Sequence, residues 1–267
     1  VPDIDEPAAM AKAVLEIQRT VDVPVAIDSN NPEAIEAALK CFTGKALINS
    51  CNGSRNSMEK ILPLAKKYGA AILGLTLDDK GIPETAEARL NIARRIVNTA
   101  LQYGIARENI FIDCLVLTAG AQQPMVMETI KALKMIKQEL GVKTMLGISN
   151  VSHGMPNRDL INATFLAMAL GNGLDLPIIN PHSGNMINTL KAADLLTNHD
   201  KKGSYFINYV PRLNYANNSA HANTALPLAE PKDKIINHPL YDLILEGDRE
   251  HIVEQINHSL SAGAKPL

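Results

Sequence analysis

The sequence has no tryptophan, only 4% aromatic residues, and three cysteines, Cys41, Cys51 and Cys114, with neither paired spacing nor a CxxC. That pattern argues against a disulfide framework and for a reducing compartment, the cytoplasm by default. Charge of one sign is also missing. Twenty-six Lys and Arg face 28 Asp and Glu, a formal charge of -2, so there is no basic footprint for nucleic acid. No apolar run approaches the roughly 20 residues that cross a bilayer, and no secretory-type leader opens the chain. Neither nucleic acid nor membrane is expected as partner. Neither GxGxxG nor GxxxxGK with a following Ser or Thr occurs, which counts against dinucleotide and P-loop binding. The seven histidines contain no HExxH. His251 and His258 are seven apart and read as a solvated helix pair rather than a zinc site, so no metal is expected.

What is present is a repeated pattern. The 267 residues, 46% apolar and 20% charged, suit one domain of barrel size or one domain with an appendage. Short apolar runs of strand type recur, and each stops at a polar residue: Val23 to Ile27 at Asp28, Ala46 to Ile48 at Asn49, Ala70 to Leu75 at Thr76, Ile110 to Ile112 at Asp113, Leu176 to Ile179 at Asn180. The most informative stretch is Gly147 to Arg158, GISNVSHGMPNR. There the run Thr144 to Leu146 with Ile148 breaks at Ser149-Asn150 and passes through a Gly/Pro loop into the apolar segment Leu160 to Leu170. Asx residues end strands because they turn and cap well, which accounts for any single case. The whole set points further, to tips of parallel strands converging on one face of a (β/α) barrel. Asn150 is the leading site residue on this reading.

Helical spacing fills the gaps: Met10, Val14 and Ile17; Ile35, Ala38 and Leu39 after Pro32; Ile61, Leu62 and Ala65 from Met58 to Tyr68; Leu90, Ala93, Val97 and Ala100; Val126, Ile130, Leu133 and Ile136 from Pro124 to Leu140; and a closing helix from Met186 to Leu196. Leu160 to Leu170 is apolar nearly all round and is expected to be well buried. Asp78 and Asp79 are adjacent in a loop, where side chains usually diverge into water. Residues 200–237 read as a linker without hydrophobic period. Residues 238–267 resume helical spacing but form two helices too short to fold alone. The first residue is Val, in a loop-like stretch, which suggests a piece of a longer protein. Asp and Asn tips make a poor nucleophile set but a good hydrogen-bonding one, suited to the edge of a flat heterocycle with amide and amino groups.

The segments VAIDSNNPEAIEAAL, ALINSCNG, AAILGLTLDDKGIP, IFIDCLVL and GISNVSHGMPNRDLINATFLAMA resemble the pterin-binding methyltransferase family. It comprises the folate domain of cobalamin-dependent methionine synthase and the methyltetrahydrofolate:corrinoid/iron-sulfur protein methyltransferases. The resemblance covers roughly residues 1–199. It implies a TIM-type (β/α)8 barrel lacking its first two strands, followed by the linker and the first helices of an α-helical cobalamin-binding cap at 238–267. It implies methyltetrahydrofolate as substrate and transfer of its N5-methyl to cob(I)alamin carried by a neighbouring domain of the parent chain or by a corrinoid protein. Asp28, Asn49 and Asp113 then hold the pterin edge, and Asn150 bonds near N5, with Asp28 or a water supplying proton character. Gly147 and His153 flank the ligand. Arg158 either contacts it or anchors its loop. The tail favours the methionine synthase branch. A corrinoid/iron-sulfur protein methyltransferase and a non-catalytic pterin-binding module are the alternatives. The Lys and Ser-x-Arg elements of dihydropteroate synthase have no match. An open partial barrel is expected to bind folate weakly and to aggregate.

Overall fold

The computed structural model describes residues 4–208 together with His251, Glu254, Asn257, His258 and Ser261. The chain divides into two compact units, Val1–Asn214 and Tyr215–Leu267. In the second, the five described residues are helical. The expected linker beyond residue 208 and the cap helices otherwise lie outside the described residues.

The first unit alternates helix and strand: α1 (Glu6–Thr20), β1 (Ala26–Asp28), α2 (Pro32–Cys41), β2 (Leu47–Asn52), α3 (Arg55–Tyr68), β3 (Ala71–Leu75), α4 (Ala86–Gln102), β4 (Ile110–Asp113), α5 (Ala119–Leu140), β5 (Lys143–Gly147), α6 (Arg158–Gly171), β6 (Leu176–Ile178) and α7 (Gly184–Leu196). The six strands pair in parallel in chain order, forming the curled, incomplete TIM-type barrel expected from the sequence. The caps explain the element starts. Asn31 Oδ1 accepts from the Glu33 N–H at 3.0 Å ahead of Pro32, and Ser54 Oγ and Thr85 Oγ1 do the same for α3 and α4. Gly69, at φ +65°, closes α3 in the left-handed conformation that glycine adopts freely.

Strand alternation separates two faces. Ile27, Ile48, Ile72, Ile110, Ile112 and Leu146 point toward the helices and are essentially inaccessible, packing against α2, α3, α4 and α5 in one apolar cluster. The in-register partners Asp28, Asn49 and Leu73, and two positions further on Leu75, Asp113 and Met145, share the opposite, concave face. Gly74 sits on the helix side, where a Cβ would lie 2.7 Å from Ile96 Cγ2, so β3 approaches α4 closely only because that side chain is absent.

Several expectations need correction. α6 is two-faced: Phe165, Leu166 and Ala169 are buried, but Leu160 is 59% and Met168 36% exposed, because only one side of it meets the sheet and α7 while the other faces solvent. Helix α5 starts at Ala119, ahead of Pro124, and is broken by a non-helical Gln122 (φ -141°, ψ 56°). The first turn, ahead of the break, is capped by Thr118, whose side chain accepts the Gly120 N–H. Residues 201–208, inside the stretch expected to be linker, are helical. No described helix is long and apolar enough to cross a membrane.

Among the described residues β1 and β6 are unpaired on their outer edges, and Leu176 and Ile178 on the concave side of β6 are about two-fifths exposed. Such edges template association. We expect concentration-dependent self-association of this chain in light scattering, reduced in Ile178→Lys; a strictly monomeric wild-type chain at all soluble concentrations contradicts this. Gly74→Ala should lower the free energy of urea unfolding by about 1–3 kcal/mol through overpacking against Ile96. An unchanged midpoint and slope would show that α4 moves aside at no cost.

Candidate functional site

The site lies at the C-terminal ends of the strands. Asp28 ends β1 and pairs in register with Asn49 of β2, and the Ser29 N–H donates to the Asn49 carbonyl at 3.1 Å; Asn49 does not end its strand as the apolar run suggested, because β2 stays paired with β3 through Cys51 and Asn52. Asp28 is exposed and Asn49 half-buried. Ser29 Oγ and Asn31 Nδ2 both donate to the Glu6 carboxylate, at 2.5 and 3.2 Å, so the loop after β1 is tied to the start of α1. Two residues further along the sheet, Asp113 ends β4 and is only 6% exposed. Its Oδ1 accepts the Leu115 N–H at 2.7 Å, and its main-chain carbonyl accepts from the Thr76 N–H at 3.0 Å.

Burial pushes the Asp113 carboxyl up to about 6, against the pull of the backbone N–H groups of Leu115 and Gly147 and of the nearby Arg89 cation. The two thiols beside the tips are inert as nucleophiles: burial pushes Cys51 up to about 12, and Cys114 is raised by burial and by the neighbouring Asp113 charge.

Asn150 is not at the strand end itself. The chain leaves β5 at Gly147 and enters a 3-10 turn, Ile148–Ser152, which carries Asn150 exposed above the sheet. Its side chain folds back over Gly147, where a Cβ would come within 3.0 Å of Nδ2; glycine at this position leaves room for that return. The loop is held by two residues, Arg158 and Thr118. Arg158, at the start of α6, donates Nε to Ser152 Oγ and Nη2 to the Ser149 carbonyl, both at 3.1 Å. Thr118 Oγ1 donates to the His153 carbonyl at 2.6 Å, joining the loops after β4 and β5. The His153 imidazole is on the exposed rim.

The structure thus brings Asp28, Asn49, Asp113, Gly147 and Asn150 to one edge of the half-barrel, with His153 and Arg158 in the loop that carries Asn150. Other polar candidates are engaged by local partners. Asn180 Oδ1 caps a turn through the His182 N–H at 3.0 Å, and Asp78 is an ion-pair partner of Arg95 at 2.6 Å rather than half of a carboxylate pair. No group of three metal-ligating side chains occurs among the described residues.

Sequence reasoning missed Arg89. It is fully buried on α4, donating Nε to the Pro83 carbonyl at 2.9 Å and Nη1 to the Cys114 carbonyl, the Leu115 carbonyl and Thr129 Oγ1 at 3.0, 2.9 and 2.6 Å. A signal was available. Arg89 falls on the apolar stripe of its helix, one turn from Ala86 and Ala93, where a charged residue has to be partnered.

A parallel half-barrel with carboxylates and carboxamides on its concave, C-terminal edge has the architecture of the (β/α) barrels, whose active sites lie at that end of the strands. Residues 3–180 match the family described as pterin binding enzyme, and the chain belongs to that family. It is 27% identical over 190 residues to the methylcorrinoid:tetrahydrofolate methyltransferase of Eubacterium limosum, covering 69% of each. It is 32% identical over 171 residues to the methionine synthase of Mycobacterium leprae, covering 59% of this chain but only 14% of that protein; the Mycobacterium tuberculosis methionine synthase gives the same identity and coverage. Among solved structures it is similar to the dihydropteroate synthase of Stenotrophomonas maltophilia (TM-score 0.56, 19% identity, 70% of this chain and 74% of that one) and to that of Yersinia pestis with a pterine-sulfa conjugate (0.57, 13%, 74% and 78%). At these identities the likeness is one of fold.

The raised Asp113 carboxyl makes stability depend on pH. The folded chain holds this proton more tightly than the unfolded one, so its contribution is fully present below the ordinary value of 3.8 and is lost as pH rises through about 6. Urea unfolding of wild type, measured relative to Asp113→Asn, should therefore weaken from pH 4 to pH 7 and level off above. Parallel profiles for the two proteins would show that Asp113 titrates normally.

Proposed function

We propose that this chain is the folate-binding domain of a corrinoid-linked methyltransferase, taking the N5-methyl group of methyltetrahydrofolate, and that it is of the methionine synthase type. The observation that carries the reading is the set of Asp28, Asn49 and Asp113 on one concave face beneath an Asn150 that glycine lets fold back over the β5 end. It is supported by membership in the pterin-binding family and by the two kinds of methyltransferase relative. An ionised Asp113 accepts two parallel N–H bonds, which fits the amide and amino edge of a pterin, and Asn49 both donates and accepts beside it. Leu75 and Met145, on the same face as Asp113, offer an apolar floor to the ring.

The chemical demand falls on N5. A tertiary amine leaves poorly, so the carbon–nitrogen bond breaks readily only if N5 gains a proton, yielding tetrahydrofolate once the methyl has left. Asn150 does not ionise and is not the acid. Its amide oxygen can accept from the protonated N5 and stabilise that charge as the bond breaks, while Asp28 or a water delivers the proton. Arg158 and Thr118 keep the Asn150 loop in place. A corrinoid supplies the strong nucleophile for the methyl group. On this reading the corrinoid is carried by another domain or protein.

A second reading is favoured by coverage. The Eubacterium limosum enzyme matches over 69% of its own length, whereas the chain spans 14% of the methionine synthases, and a free-standing methyltransferase acting on a separate corrinoid protein satisfies the former. The tail over residues 238–267, which resembles the approach to a cobalamin-binding cap, favours the first reading.

The test is demethylation of methylcobalamin by tetrahydrofolate, followed by its visible spectrum, in the complete parent protein. Asn150→Ala should retain tetrahydrofolate binding and lose about 100-fold or more in rate, as for removal of one preorganised hydrogen bond at a developing charge. Asp113→Asn should weaken pterin binding about 10- to 100-fold, the scale of a hydrogen bond to a charged group. Binding without turnover in wild type, or a rate unaffected by Asn150→Ala, would move the chain to the non-catalytic binding class.

A further inference from the structure

Asp113 receives the Leu115 N–H only because the backbone reverses at Leu115, a non-glycine residue at φ +56°. The left-handed region is disfavoured for a leucine, so something outside the turn has to hold it. That group is Arg89. Its Nη1 donates to the carbonyls of both residues that follow Asp113, Cys114 at 3.0 Å and Leu115 at 2.9 Å, while its Nε is fixed by the Pro83 carbonyl at 2.9 Å. Thr129 of α5 completes the clamp: its Oγ1 accepts from Nη1 at 2.6 Å and lies 3.2 Å from the Leu115 carbonyl and 3.1 Å from that of Met125. A guanidinium can serve this geometry because its planar fork has several donors at fixed angles; a lysine ammonium has the charge without the fork.

We propose that Arg89 is a positioning residue for Asp113: by gripping the 114 and 115 carbonyls it holds the Leu115 turn that aims an N–H at the Asp113 carboxylate and sets that carboxylate's direction on the concave face. Its use in binding rests on the pterin reading above; the clamp itself does not.

The charged and titratable groups around the clamp are few. Asp113 and Cys114 face Arg89 from the end of β4, and Glu128 of α5 is the remaining carboxylate that acts on it. Glu128 is engaged elsewhere, by the Ala86 N–H at 2.8 Å and by Lys131 at 2.6 Å. Arg89 is the charged group that lowers Asp113. Removing the clamp therefore costs Asp113 a hydrogen bond that favours its ionised form, and its midpoint rises.

The direct measurement is a carbon-13 carboxyl NMR titration of Asp113 in the ligand-free protein, in wild type, Arg89→Lys and Thr129→Val. Arg89→Lys keeps a cation at the position, so a rise in the Asp113 midpoint there reports the lost fork rather than lost charge. Thr129→Val is nearly isosteric, and the same shift, smaller, is expected. Methyltetrahydrofolate titrations follow: wild-type affinity should fall on acidification through the Asp113 midpoint, and in Arg89→Lys the fall should begin at higher pH, severalfold weaker at pH 7 and recovering toward wild type at pH 9. Unchanged midpoints and pH profiles in both folded variants overturn the proposal; if Arg89→Lys does not fold, Thr129→Val alone decides it. If the midpoint shifts while wild type binds no pterin, the clamp stands and the functional reading falls.

Discussion

Parallel pairing in chain order is the constraint on which the site depends. A parallel neighbour can be reached only by a crossover, here a helix each time, so every strand ends at the same edge of the sheet. Register then fixes height. Asp28 is level with Asn49, and Asp113 is level with Leu75, two positions beyond Leu73, the partner of Asn49. Because those steps are even in number along β3, the three polar side chains emerge on one face while the isoleucines between them stay under the helices. A one-residue slip would send the carboxylates into the apolar layer and the isoleucines into solvent. The cost of that exchange holds the functional register in place.

The polar groups of the site stand in two tiers with different physics. Asp28, Asn150 and His153 are exposed and act only as far as their loops are held. Asp113 and Arg89 are buried, where charge interactions are stronger but desolvation opposes ionisation of both: the carboxyl is raised and the guanidinium lowered, burial being the largest cause in each. The arrangement is not one of simple neutralisation. Arg89 spends its bonds on neutral carbonyls and a hydroxyl, and its Nη2 has no partner among the described residues, a cost of about 1–3 kcal/mol for a buried donor. A buried cation kept on such terms is better explained by the turn it holds than by its contribution to stability.

Much of this was readable beforehand because parallel strands buried by helices appear as short continuous apolar runs. The runs ending at Asp28 and Asp113 correspond to β1 and β4, while the run placed at Asn49 is the start of a β2 that continues to Asn52; the fold class followed from their alternation with helical spacing. What the pattern could not convey was anything set by partners distant in sequence. The apolar composition of α6 suggested burial on all sides, but Leu160 and Met168 are partly open to solvent. Periodicity did not separate a strand tip from the 3-10 turn that lifts Asn150, since both follow an apolar run. Thr76 looked like the weakest of the tips; it is fully buried with Oγ1 lacking a partner among the described residues, which no local property of Ala70 to Leu75 indicates. Arg89 was legible in principle, as a charge on an apolar stripe, but its purpose required the fold.

The concave face sets the strength with which such a site can act. Asp28, Asn49 and Asp113 are polar, yet the other positions on this face, Leu73, Leu75, Phe111 and Met145 and then Leu176 and Ile178, are apolar. A flat ring lowered onto this surface would exchange apolar contact for water while its polar edge met the carboxylates, so both terms improve together as water leaves. At β6 the face is open, with Leu176 and Ile178 well exposed, and Lys143 lies 5.9 Å from the centre of the Phe111 ring, shielding part of it with its own charge and stem. Hydrogen bonds made at a wetted edge compete with water and discriminate less than the same bonds made in a closed barrel. Asp113 is the exception. Already enclosed by β3, β5 and the Arg89 clamp, it keeps a low-dielectric surrounding however open the rest of the face is, so a hydrogen bond made to its carboxylate would compete with less water than one made at the open floor.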